Sequence, residues 1–73
     1  MKIEDMVTIG GIYEFDCEFF LNNRRRTEMI GGVVHSIVNE GKDTFIILED
    51  SRAVNVKSVT RVIGPYNQDG EKL

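Results

Sequence analysis

The segment from Ile12 to Leu21 constrains the fold more than any other stretch, because its apolar and polar side chains alternate. The apolar side chains occupy the odd positions Tyr13, Phe15, Cys17, Phe19 and Leu21. The even positions carry Glu14, Asp16 and Glu18, followed by Phe20. Successive side chains of a β-strand point to opposite faces, so this period of two predicts a strand with one face in a core and the other in water.

Glycine and asparagine divide the rest of the chain into further strand-like runs. The breaks are Gly10-Gly11, Asn22-Asn23, residues 39–43, residues 49–52 and Gly64-Pro65. Between them, the runs Met29–Val38, Thr44–Leu48 and Ala53–Val56 are rich in side chains that favour strand. Gly31-Gly32 predicts a bulge or a sharp bend near the start of the second strand.

The last third of the chain predicts a helical turn between two short strands. Valines recur at every third position, 56, 59 and 62, which is the spacing of a 3-10 turn. A second short helical turn is predicted near the N-terminus, at Ile3–Met6. We therefore predict an all-β fold of five strands, closed into a small barrel that leaves no sheet edge exposed. Residues 1–64 would form this single domain, and residues 65–73 a flexible polar C-terminal tail.

The size of the chain limits how it can be stabilised. Its 73 residues make one small domain that is only marginally stable. Cys17 is the only cysteine, which excludes a disulfide, and together with the only histidine, His35, it cannot complete a metal site. We expect no cofactor, and self-association as the remaining support. The absence of a signal-peptide pattern and of a long apolar run predicts a cytoplasmic protein with no membrane partner.

Residues 15–62, and above all the pattern at Ala53–Ile63, resemble the small SH3-like barrels, including the Sm-like group. The bacterial Sm-like RNA chaperone and the Sm-like inhibitor of the Rho terminator share the order of apolar runs and turns in these residues. That order is Phe15–Leu21, Asn22–Thr27, Gly31-Gly32, Val33–Val38, Phe45–Leu48 and Ala53–Val62. The resemblance implies a five-stranded SH3-like or Sm-like barrel with a 3-10 turn before its last strand. The chaperone's Tyr-Lys-His segment is replaced here by residues 56–59, in which only Lys57 matches.

A basic triplet, Arg24-Arg25-Arg26, is the sharpest local feature of the sequence. We expect it on a loop that follows Asn22-Asn23, where guanidinium groups can bind phosphates or carboxylates bidentately. With Lys42, Arg52 and Lys57 it forms a predicted basic edge. The alternative is a solvated loop without a ligand, and the net charge of −3 argues against a non-specific nucleic-acid binder.

The even positions of the first strand form a second candidate surface, with an acidic row that ends in an aromatic side chain. Its members are Glu14, Asp16, Glu18 and Phe20. An exposed aromatic beside charges is typical of an interface anchor. The alternative is the ordinary solvent face of a half-buried strand.

The sequence contains no recognisable catalytic set. Cys17 lies among predicted core positions. No nucleophile or orienting group lies at a sequence spacing from His35 that would indicate a catalytic pair. We predict a non-catalytic, small binding or regulatory protein that acts through contacts with a protein partner and also forms homo-oligomers. Its resemblance to small barrels implies an accessory protein of a bacterium or phage. The alternative is an Sm-like barrel that binds RNA or a nucleotide through the Arg24–Arg26 loop.

Overall fold

The computed structural model describes residues 2–73, and in that range the chain folds into five β-strands and two short 3-10 helices. The strands are β1 (Ile12–Leu21), β2 (Arg24–Glu40), β3 (Asp43–Leu48), β4 (Ala53–Asn55) and β5 (Val59–Tyr66). The 3-10 helices are Ile3–Met6 and Val56–Ser58. The all-β class and both short helical turns are therefore confirmed.

The strands form one antiparallel sheet in the order β4-β3-β2-β1-β5. Strands β4 and β5 occupy its two ends, and within residues 2–73 they do not pair with each other. Strand pairing thus leaves the sheet open, whereas the sequence predicted a closed barrel. The two end strands are linked along the chain by the helix Val56–Ser58.

The long strand β2 bends, and its two halves pair with different strands. It pairs with β1 from Arg24 to Val33 and with β3 from Val34 to Glu40. A straight strand of 17 residues would span about 55 Å, whereas the whole molecule is only 38 Å long. The predicted bend at Gly31-Gly32 lies next to this change of partner. A Cβ atom on Gly32 would lie 3.2 Å from Leu48 Cδ1, so the bend packs closely on β3.

The core lies on the concave side of the bent sheet. Its buried members are Tyr13, Phe15, Cys17, Val34, Ile46, Leu48 and Val54. Phe15 is fully buried near the centre, with its ring centroid 6.1 Å from that of Tyr13. The segment before β1 closes one end of this core, because the Thr8 backbone N–H donates to the Tyr13 hydroxyl at 2.9 Å.

The turn between β1 and β2 contains only Asn22 and Asn23, which corrects the predicted loop. Both asparagines have positive φ angles, 54° and 63°, as the two central residues of a type I′ hairpin turn require. The arginine triplet is therefore not on a loop, because β2 already begins at Arg24. Strand pairing extends the second strand five residues before the predicted start at Met29.

The C-terminal residues continue the fold beyond the predicted domain boundary. β5 runs through residue 64 to Tyr66, and an isolated bridge then joins Tyr66 to Lys72. The Leu73 backbone N–H donates to the Pro65 carbonyl at 2.8 Å, and Asn67 accepts from the backbone of Asp69 and Glu71. The flexibility of residues 65–73 stays a prediction.

Replacing Phe15 by alanine tests the position of the core. Because Phe15 is fully buried, Phe15→Ala is expected to lower the free energy of unfolding by about 3–5 kcal/mol, measured by urea denaturation. The control is Phe20→Ala on the same strand, whose ring is mostly exposed and should cost less than about 0.5 kcal/mol. Equal losses for the two variants would contradict this core.

Candidate functional site

The far end of the β1–β2 hairpin projects beyond the rest of the sheet. The last residue of β1 that pairs with β5 is Cys17, and the first residue of β2 that pairs with β3 is Val34. Residues 18–27, here called the hairpin tip, therefore form a two-stranded ribbon with no third strand of the described chain beside them. Both of its faces are accessible to a partner.

The hairpin tip carries three consecutive apolar side chains that the core does not cover. Phe19, Phe20 and Leu21 expose 38%, 72% and 53% of their surface. The period of two placed Phe19 and Leu21 correctly on the same face as Phe15, but that face is covered only as far as Cys17. Sequence periodicity predicted that Phe19 and Leu21 lie in the core, whereas the structure places both on the surface.

The arginine triplet lies directly across the hairpin from these apolar side chains. Arg26 pairs with Phe19, Arg25 with Phe20 and Arg24 with Leu21. Directly opposite residues share a face of the ribbon, so the tip presents guanidinium groups beside apolar side chains on both faces. Aromatic side chains, phenylalanine among them, and arginine are both enriched at protein–protein interfaces relative to the rest of the surface.

An apolar groove lies beneath the inner face of the tip, which is the face that bears Phe19. It has a volume of about 470 Å³. Its lining includes Phe19, Ile30 and Val54, with Lys57 at its side. The groove is lined by residues of both β1 and β4.

The acidic row lies on the outer face of β1, as predicted, but neighbouring strands largely pair its charges. Arg61 Nε lies 2.8 Å from Asp16 Oδ2, and Arg25 Nε lies 3.4 Å from Glu18 Oε1. The outer face is therefore nearly neutral, and Phe20 is its most exposed apolar side chain. Sequence reasoning missed Arg61 and the exposed Met29 on this face, since only strand register shows that both lie opposite Asp16.

Glu14, the first member of the acidic row, acts on Tyr66 rather than on an arginine. The carboxylate raises the pKa of the Tyr66 hydroxyl, because hydrogen bonding and negative charge both favour the protonated phenol. The two residues line a shallow cleft of about 340 Å³ beside Gly31 and Gly32.

The structure does not bring the six residues of the predicted basic edge together. Lys57 Nζ lies 3.1 Å from Asp43 Oδ1. Arg52 binds the Asp50 carboxylate at 2.6 Å and donates to the Gly31 carbonyl. Lys42 lies in the turn beyond the other end of β2. Only Arg24, Arg25 and Arg26 remain as one cluster, and Arg25 is paired with Glu18.

Cys17 and His35 occupy different environments. Cys17 is buried, and this burial raises the pKa of its thiol. His35 is exposed at a register shift between β2 and β3, with Nδ1 3.2 Å from Ser36 Oγ. Among residues 2–73, no three histidine, cysteine, aspartate or glutamate side chains are grouped closely enough to hold a metal ion.

Comparisons with known proteins found no match to the chain among family models, curated proteins or solved structures. No helix in the described part of the chain has the length and apolar character needed to cross a bilayer.

Glu14→Gln tests the contact on the outer face. Removing the negative charge is expected to lower the pKa of Tyr66 toward the ordinary tyrosine value of about 10, followed by the ring carbon shift in NMR. Glu18→Gln, on the same face and paired with Arg25, is the matched control and should leave the Tyr66 titration unchanged. An identical Tyr66 pKa in wild type and Glu14→Gln would contradict the contact.

Proposed function

We propose that this chain is a non-catalytic binding protein whose hairpin tip docks on another protein. The observation that carries the proposal is the exposure of Phe19, Phe20 and Leu21 on a ribbon that projects beyond the core. Contiguous exposed apolar side chains typically mark interaction sites in soluble domains. A projecting hairpin can enter a cleft of a partner and bury both of its faces.

The charges of the tip indicate the chemistry of its partner. The tip carries three arginines and one acidic side chain, Glu18, which is paired with Arg25. No ion pair forms at Arg24 or Arg26 within the described residues. A partner with an apolar pocket for Phe20 or Leu21 and carboxylates at its rim would satisfy both features, since arginine binds carboxylates in a bidentate fork.

The finer fold is part of the same proposal. We propose that the open sheet is an SH3-like or Sm-like barrel in which packing closes the gap between β4 and β5. Three features support it, namely the bent β2 shared by β1 and β3, the strand order, and the 3-10 helix before β5. This fold class leaves the function open, because small barrels serve many functions.

Loss of an exposed aromatic anchor tests the proposal. Immobilised wild-type protein should capture a specific protein from a lysate of the organism that encodes it, and Phe20→Ser should reduce that capture at least about tenfold, as expected for a hot spot. The matched control is Ile9→Ser, which removes an apolar side chain of similar exposure, 62%, outside the hairpin. Equal capture by all three proteins would show that the tip is not the interface.

The alternative is that the tip binds RNA, as suggested by two aromatic rings beside three arginines on one ribbon. This function predicts an affinity for single-stranded RNA that falls steeply with salt. In fluorescence anisotropy, Arg24→Ala and Arg26→Ala should each weaken binding, and Lys42→Ala, at the other end of β2, should not. A weak affinity that is independent of salt would exclude this alternative.

A further inference from the structure

One edge of β2 lacks a neighbour along the hairpin tip. In an antiparallel ladder, the backbone groups of alternate residues point toward the partner strand, and those of the residues between them point away. The two-residue turn makes Leu21 and Arg24 a hydrogen-bonded pair. Arg26 and Glu28 therefore bond to β1, whereas Arg25, Thr27 and Met29 direct their N–H and C=O groups to the other side.

Two observed contacts confirm this alternation farther along the same edge. The Gly31 carbonyl accepts from Arg52 Nη2, and the Val33 carbonyl accepts from the Glu49 backbone N–H at 2.9 Å. Both acceptors are odd-numbered residues that point away from β1. The edge is thus occupied from Gly31 onward, and in the described chain no strand covers it at Arg25, Thr27 and Met29.

We propose that two copies of this chain associate through this edge, with β2 of one copy antiparallel to β2 of the other. A twofold axis passes beside Thr27, so that Thr27 lies opposite the second copy's Thr27. Arg25 then lies opposite Met29 on both sides of the axis. Each of these three pairs exchanges two backbone hydrogen bonds, which satisfies the outward-directed backbone groups of Arg25, Thr27 and Met29.

Charge complementarity is the argument for a second copy rather than another partner. The sequence Arg26-Thr27-Glu28 is complementary to itself about its central residue. In the proposed register, Arg26 of each copy lies directly opposite Glu28 of the other, in the pairs whose side chains approach most closely. Oppositely charged residues in such positions stabilise a sheet. Neither residue forms an ion pair within the described chain.

The four alternative registers either oppose like charges or pair no opposite charges. Shifting the twofold axis to Arg26 pairs Arg24 with Glu28 but sets the two Arg26 side chains against each other at the axis. Shifting it to Glu28 opposes the two Glu28 side chains, and shifting it to Arg25 places all three arginines opposite arginines. Centring it on Met29 pairs no opposite charges. It also requires the Gly31 carbonyl to bond to the second copy, although this carbonyl already accepts a hydrogen bond from Arg52. The register centred on Thr27 is the only one of the five that pairs Arg26 with Glu28 without opposing like charges.

This association goes beyond the proposed function and does not depend on it. Residues directly opposite in a sheet share a face, so the outer faces of both copies lie on the same side. The exposed Phe20 side chains point outward from that combined face, away from the new backbone pairing. Self-association therefore presents two hairpin tips to a partner.

Charge reversal tests the register. In sedimentation equilibrium, the wild-type mass should rise from 8.3 kDa toward twice that value as concentration increases to the millimolar range. R26E and E28R each create two like-charged pairs and are expected to weaken association at least tenfold. The double variant R26E/E28R restores opposite charges and is expected to associate like the wild type.

Mixing the two single variants supplies the decisive control. R26E and E28R should form a mixed dimer with each other, since their charges are then complementary, although each alone remains monomeric. This rescue excludes misfolding as the cause of the loss. A wild type that stays at 8.3 kDa, or single variants that associate as strongly as the wild type, would overturn the proposal. Phe20→Ser should lose its protein partner while retaining self-association, so the two proposals fail separately.

Discussion

The pairing of β1 with β2 is the interaction on which the rest of the structure depends. Ten consecutive residue pairs join these strands, and the two asparagines of the turn fix their register. A slip of one residue would turn every side chain of a strand to the opposite face. The same register places Phe15 in the core, Asp16 outside, and the arginines opposite the exposed apolar side chains.

The hairpin is longer than the core that it covers, and this mismatch creates the candidate site. β5 leaves β1 after Cys17, and β3 joins β2 only at Val34. Residues 18–27 remain paired between β1 and β2 but have no neighbouring strand of the described chain on either side. A domain of 73 residues can bury only a limited area, so the exposure of three consecutive apolar side chains is the feature on which the proposed binding role rests.

Sequence periodicity predicted which face each β1 residue occupies, but not how deep it lies. Alternation is a local property, whereas the exposure of Phe19 and Leu21 depends on where two distant strands stop. The arginine triplet was wrongly placed on a loop because a run of charges after two asparagines is typical of a turn. Pairing with β1 overrides the weak strand preference of that segment.

Contacts between residues far apart in the chain could not be predicted from the sequence either, because sequence patterns report only local structure. The ion pair between Arg61 and Asp16 joins residues 45 positions apart, and only the register of β1 with β5 brings them together. The order of the strands and the bend of β2 decide which sheet edges remain open. The 3-10 helix at Val56–Ser58 was predictable because its signal is a three-residue spacing within one short segment.

Amide hydrogen exchange along β2 shows whether the tip is an ordered ribbon whose β2 edge is open. At low concentration, the amides of Arg26 and Glu28 should be protected, and those of Arg25, Thr27 and Met29 should exchange rapidly. At high concentration, the three rapidly exchanging amides should gain protection as a second copy pairs with them. Uniform protection, or uniformly rapid exchange at all five positions, would contradict the account.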